Sequence, residues 1–155
     1  MGIRSNAQGE TQMLAEWLTQ NARGAQSKTN VPVGKQSLIY RDQVLTPAQR
    51  NAFGVWSDKV DARIAWGTEV WLVEAKIVGV SGAYGQILDY TRQYPQSADY
   101  QSYLGQRIVP VVLCAFERPE TARYFEGFGV RTIVFTPTWA AKTLATKIFG
   151  SGVDL

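Results

Sequence analysis

The chain has 155 residues, 45% of them apolar and 19% charged, with 16 Lys and Arg against 13 Asp and Glu, a net charge of +3 and a pI of about 9.1. Those are the values of one globular domain with a core of its own, and they exclude a disordered or membrane-spanning chain. There is no histidine and only one cysteine, Cys114, which excludes Ser-His-Asp and Cys-His catalysis and an internal disulfide, and argues against an ordinary zinc site.

Acid–base or metal chemistry is therefore left to Asp, Glu, Lys and Tyr, and hard oxygen ligands favour Mg²⁺ or Mn²⁺. The first six residues lack the apolar core of a secretory signal. With the lone cysteine, this points to a reducing cytoplasmic setting.

Residues 8–22 read as the first helix, with Met13, Leu14, Trp17 and Leu18 forming an apolar face. Glu10 falls near the centre of that face and Glu16 on the far side. An acid in Glu10's place either points into a site or favours the helix dipole from the first turn. Residues 24–58 read as a basic, loop-like insertion. No acid occurs between Glu16 and Asp42, while Arg23, Lys28, Lys35 and Arg41 do, among Gly24, Ser27, Asn30, Pro32 and Gly34. Such a loop suits phosphate contact, and equally reads as a solvated surface. Within it, residues 36–41 could form a short strand, and Thr46-Pro47 opens a second helix as N-cap and N1, running to about Trp56.

Residues 60–66 and 70–76 then read as two strands joined by Gly67-Thr68, a pair suited to a type II′ turn. Pairing Trp66 with Glu69 sets 65 opposite 70, 63 opposite 72 and Asp61 opposite Glu74, so the two carboxylates project from one face and Lys76 joins them. Like charges facing each other destabilise a hairpin. A divalent cation between them would resolve the conflict, and two carboxylates with a lysine around Mg²⁺ suit phosphodiester cleavage. A surface ladder in which Lys76 pairs with Glu74 or Asp61 is the plainer reading. Val70 and Leu72 on the same face argue against a simple solvent face.

Downstream, residues 83–94 read as a helix stopped by Pro95, and residues 95–106 as polar loop. Residues 107–116 form a strong buried strand, in which Pro110 implies an edge or a bulge and Cys114 a packing role. A short helix begins at Arg118-Pro119-Glu120 and ends at Gly127 or Gly129. Residues 130–135 form another strand, and Pro137 begins a last helix to about Phe149. This alternation is α/β.

At this point the chain resembles the PD-(D/E)XK nuclease superfamily. The residues that carry the resemblance are Asp61 and Glu74-Ala75-Lys76, an Asp-x12-Glu-x-Lys pattern over a hairpin, and Gln86 with Tyr90, the QxxxY motif of the RecB-type branch. Glu10 resembles the extra acidic ligand that Holliday-junction resolvases carry on an N-terminal helix. The resemblance covers about residues 8–135 and implies a restriction-endonuclease-like mixed β-sheet core flanked by helices. It further implies a Mg²⁺- or Mn²⁺-dependent deoxyribonuclease, with Asp61, Glu74, the Ala75 backbone carbonyl and Glu10 as metal contacts. Lys76 would position the water or offset transition-state charge, and Gln86 and Tyr90 would orient Lys76 or a phosphate. Aromatics at the spacing of Tyr84, Tyr90 and Tyr94 also read as core. Lys28, Lys35, Lys59, Arg63 and Arg92 are the candidate DNA-backbone contacts, with Arg63 alternatively screening the carboxylates. A compact unit with a resolvase-like Glu10 suggests a branched-DNA enzyme working as a homodimer, and a restriction or repair role fits the same residues. The competing readings are a nuclease-fold protein that binds DNA or assembles without turnover, and an unrelated α/β protein with a chance E-x-K.

Overall fold

The hairpin forms in the register that the turn dictates. Trp66 N–H donates to the Glu69 carbonyl at 2.8 Å, and Gly67 takes φ +90° while Thr68 stays out of the left-handed region, as a type II′ turn requires. Strands β2 (Lys59–Ala65) and β3 (Glu69–Val78) run antiparallel, with Ala65 opposite Val70, Arg63 opposite Leu72 and Ala62 opposite Val73. The ladder ends at that last pair. Asp61 and Glu74 stand one step beyond it, where the strands fork.

The computed structural model describes residues 6–35, 46–49 and 58–149. The hairpin is the centre of a five-stranded sheet in the order β1-β2-β3-β4-β5. Strand β1 (Gln26–Pro32) pairs antiparallel with β2, whereas β4 (Arg107–Phe116) and β5 (Arg131–Val134) are parallel to β3 and to each other. The sheet is thus mixed and flanked by helices, the α/β class expected. Strand β1 corrects the reading of its segment as loop. Five of its seven residues are exposed, so it carries no apolar alternation, and pairing with β2 alone makes it a strand.

One face of the sheet is covered by α1 (Asn6–Asn21) and α4 (Ala140–Phe149). Met13, Leu14 and Trp17 pack with Val73, Ala75, Ile77 and Leu113. The approach is close at Gly9, where a Cβ would lie 3.2 Å from the Trp139 ring and 3.4 Å from Ile77. Trp139 Nε1 also donates to Glu16 at 3.2 Å, tying α1 to the residues leading into α4. The other face is covered by α2 (Ser81–Gln93), whose Tyr84, Ile87 and Tyr90 pack with Val60, Val70, Leu72 and Val112. Helix α3 (Pro119–Glu126) links β4 to β5 and stacks Phe125 on Tyr84, centroids 4.8 Å apart.

The polar stretch expected over 95–106 contains two short 3₁₀ turns, Tyr94–Gln96 and Asp99–Ser102. Strand β4 is internal, which corrects the edge reading. Pro110 fits there because it precedes the β4–β5 ladder, which begins at Val111, so β4 has β3 as its ladder partner at that point. Cys114 is fully buried, and burial pushes its thiol up to about 11. Thr46 and Gln49 form a reciprocal capping box: Gln49 N–H donates to Thr46 Oγ1 at 3.2 Å and Thr46 N–H donates to Gln49 Oε1 at 2.9 Å. The remainder of that helix to Trp56 and the strand expected over 36–41 lie outside the described residues. Among the described residues no helix is long and apolar enough to cross a membrane.

Candidate active site

The fork between β2 and β3 leaves backbone groups that a continuing ladder would have paired. The Ala75 N–H donates to Asp61 Oδ2 at 2.8 Å, so the carboxylate takes the place of a strand partner. A strand residue presents its N–H and C=O to the same side. The Ala75 carbonyl therefore opens toward the same gap as Asp61. Glu74 is only 4% exposed and shares a hydrogen bond with Asp61, yet its Oε2 is buried without a hydrogen-bond partner. A buried, unpartnered carboxyl oxygen beside a second carboxylate is an acceptor site for a cation.

Electrostatics agree with the geometry. Burial raises the Glu74 carboxyl to about 8, helped by the charge of Asp61 and, further off, of Glu10, while Lys76 pulls it back. Asp61 is also raised, by burial first, against the opposing pull of the Ala75 N–H, Lys76 and the Glu74 hydrogen bond. Without a cation, the pair holds a proton in common near neutral pH. Lys76 is half-buried, with Nζ 4.0 Å from Glu10 Oε2. Helix α1 thus brings Glu10 to the fork, the first of the two places open to this acid. Its carboxylate does not complete a preassembled ligand cluster: among the described residues no three acidic, His or Cys side chains converge to hold an ion. The set that fits a hard divalent cation is Asp61, Glu74 and the Ala75 carbonyl, with Glu10 acting on Lys76 and on the local charge.

On α2, Gln86 Nε2 donates to Tyr90 Oη at 2.6 Å, so the two residues of the QxxxY motif meet on one helical face. Tyr90 is buried to 8% exposure, and its hydroxyl is raised by burial and by the fields of Asp58, Glu74 and Asp61. Tyr90 therefore packs in the core under α2 within the field of the acidic pair, and the exposed Gln86 holds its hydroxyl.

The expected cationic surface divides. Lys28 and Lys35 are exposed and Lys59 is half-buried. Arg92 is exposed and pairs with Asp89 at 2.6 Å. Arg63 is a correction. It is 7% exposed and forks onto Asp99 at 2.8 and 3.1 Å, donates to the Gln26 carbonyl at 3.0 Å, and lies 4.8 Å from the Tyr103 ring centroid. Its donors are committed to internal partners, so it neither reaches a phosphate nor screens Asp61. Asp99, which also accepts from Tyr94 Oη at 2.6 Å, is the partner that sequence spacing missed.

Sequence reading also missed Asn30. It has φ +53°, the one non-glycine residue with positive φ among those described, and its place in the β1–β2 ladder, opposite Asp61, is skipped.

No family model and no curated protein matches this sequence. Two solved structures are similar to it in fold. One is a protein of unknown function, at 11% identity and TM-score 0.49, covering 90% of this chain and 66% of that one. The other is a repair endonuclease from Pyrococcus abyssi, at 11% identity and TM-score 0.48, covering 88% of this chain and 50% of that one. The chain thus spans half to two thirds of the length of the structures it matches.

Proposed function

We propose that this chain is a metal-dependent deoxyribonuclease, in which Asp61 and Glu74 hold Mg²⁺ or Mn²⁺ and Lys76 serves phosphodiester hydrolysis. The observation that carries the reading is the unpartnered Oε2 of buried Glu74 at the fork beside Asp61, two residues from Lys76. Burying two acids side by side costs desolvation and mutual repulsion, and a cation between them would offset both.

A cation bound there would supply a water of lowered pKa and polarise a phosphate oxygen. The protein's part follows from its own geometry. The Ala75 N–H fixes Asp61, so one ligand is preset. Glu74 gives up its proton and presents a buried carboxylate. Lys76, with Glu10 4.0 Å away at the fork, donates to the oxygen on which charge builds during attack. Tyr90, held by Gln86 and within the field of the same acids, orients the phosphate. The free cations Lys28, Lys35 and Lys59 contact the DNA backbone, a role that Arg63 does not share.

The test is incubation of the purified chain with single-stranded, duplex and branched DNA in Mg²⁺, Mn²⁺ or chelator. Cleavage is expected with metal and not with chelator. Glu74→Ala and Lys76→Ala each lower the rate by roughly 10²–10³-fold, the scale of losing one transition-state contact. Intact DNA of all three forms with either metal would overturn this reading. Salt-sensitive DNA binding without cut product, unchanged in Glu74→Gln, would favour a binding module instead.

A further inference from the structure

A groove of about 520 Å³ runs from the fork along α1, between that helix and the edge strand β1. Glu10, Asp61 and Ala75 line it where it meets the acidic pair. Buried Leu14 forms an apolar floor, and exposed Thr11, Thr29 and Asn30 supply uncharged polar groups. Its size lies within the roughly 300–1,000 Å³ of small-molecule sites. Among the described residues no cation lines it. From these residues a phosphate chain would find no counter-charge. A neutral, flat, partly apolar group would find a fitting floor, and its adjoining phosphate would fall at the carboxylates.

Asn30 is the feature of this groove that packing does not explain. A left-handed residue inside a strand is disfavoured for any side chain with a Cβ, least so for Asn. Here it interrupts the β1–β2 ladder between the Thr29–Ala62 and Val31–Val60 pairs, at the position facing Asp61. Local ladder breaks of this kind re-aim a side chain beside a site. Asn30 is exposed and contributes to the groove wall. Its amide carries both donors and an acceptor, the pairing that base edges present.

Resting on the nuclease reading above, we propose that this groove is the subsite for the nucleoside adjoining the scissile phosphate, and that Asn30 is the residue that positions its base. The cleaved strand then enters with one base unstacked from its neighbours and lodged against α1. Recognition falls on single-stranded or locally opened DNA.

The test has a binding arm and a cleavage arm. In the first, thymidine 5′-monophosphate is titrated into the protein in Ca²⁺, which takes the same oxygen ligands as Mg²⁺, and followed by backbone amide NMR. Shifts are expected at Thr11, Thr29 and Asn30. They disappear in Ala15→Trp, which fills the groove from an exposed helix position, and deoxyribose 5-phosphate does not reproduce them. In the second arm, an oligonucleotide substrate carries single abasic positions on either side of the cut. Removing the one base that occupies the groove lowers kcat/KM by about tenfold, the scale of losing one base contact. Asn30→Gly keeps the left-handed backbone and removes the amide. It lowers kcat/KM to a similar extent on intact DNA and has little effect on the abasic substrate.

Nucleotide shifts that vanish in Ala15→Trp, with no DNA cut under any condition, would sustain the groove and overturn the nuclease reading. DNA cleavage indifferent to the abasic positions, to Ala15→Trp and to Asn30→Gly, with no nucleotide shifts at the groove, would overturn the groove and sustain the nuclease.

Discussion

Glu74 shows how one buried residue can set the pH response of the protein. Its carboxyl titrates near 4.5 when the chain is unfolded and near 8 in the fold, raised chiefly by burial and by Asp61. Below about pH 4.5 both states carry the proton and the group is neutral in the balance. Between those values the unfolded chain has released its proton while the fold retains it, so stability falls as pH rises through the window and levels off above it. Asp61 is shifted in the same direction and reinforces the trend. In chelator, melting of the wild type should therefore drop more steeply from pH 5 to pH 8.5 than melting of Glu74→Gln, which cannot ionise. Parallel profiles would remove Glu74 as the source. The same shift predicts that Mg²⁺ binding at pH 7 releases a proton, measurable as a calorimetric heat that varies with the ionisation enthalpy of the buffer. A heat independent of buffer would mean that Glu74 is already ionised.

At the scale of elements, the hairpin was legible and its neighbours less so. Residues 60–66 and 70–76 are short, apolar-rich segments around a Gly-Thr turn, and two-residue loops leave little freedom of register, so the approach of Asp61 to Glu74 follows from local chemistry. Helices α1 and α2 were legible from their apolar faces, and Glu10 from its misfit on one of them. Strand β1 was not legible, because its side chains are solvated and its identity comes from a partner about 35 residues away. Arg63 was misread for the same kind of reason. Sequence shows an arginine two residues from Asp61, but its partner Asp99 arrives on a 3₁₀ turn that no periodicity announces. That pair locks β2 to the turn region, and both side chains are largely withdrawn from water. Arg63→Ala should cost about 3 kcal/mol by stranding Asp99, read as a lower denaturation midpoint with an unchanged m-value. Cleavage by the folded fraction should be retained, since Arg63 does not face the fork. A variant that melts like wild type would show the pair to be dispensable.

Across the whole molecule, the candidate site lies where the two cores meet. Ala75 belongs to the core under α1, and Tyr90, whose hydroxyl feels the acidic pair, belongs to the core under α2. Asp61 and Glu74 come from strands that separate at this point and are joined there by the Asp61–Ala75 hydrogen bond and the shared proton. A cation held by both carboxylates would replace that proton with a stronger link between β2 and β3. It would bind the folded chain alone, because the unfolded chain does not bring residues 61 and 74 together. Stability must then rise with the logarithm of free cation, by about 2.7 kcal/mol at one hundred times Kd. For a chain of this size that is a melting shift of roughly 5–10 °C. Ca²⁺, which takes the same oxygen ligands, should produce a shift of this kind in the absence of DNA. Asp61→Asn and Glu74→Gln should each suppress it, while Lys76→Ala, which supplies no ligand, should keep or enlarge it by removing a competing positive charge. A wild-type melting temperature that does not move over a thousandfold range of Mg²⁺, Mn²⁺ and Ca²⁺ would mean that the fork holds no cation. The buried acids would then have to be explained by their shared proton alone.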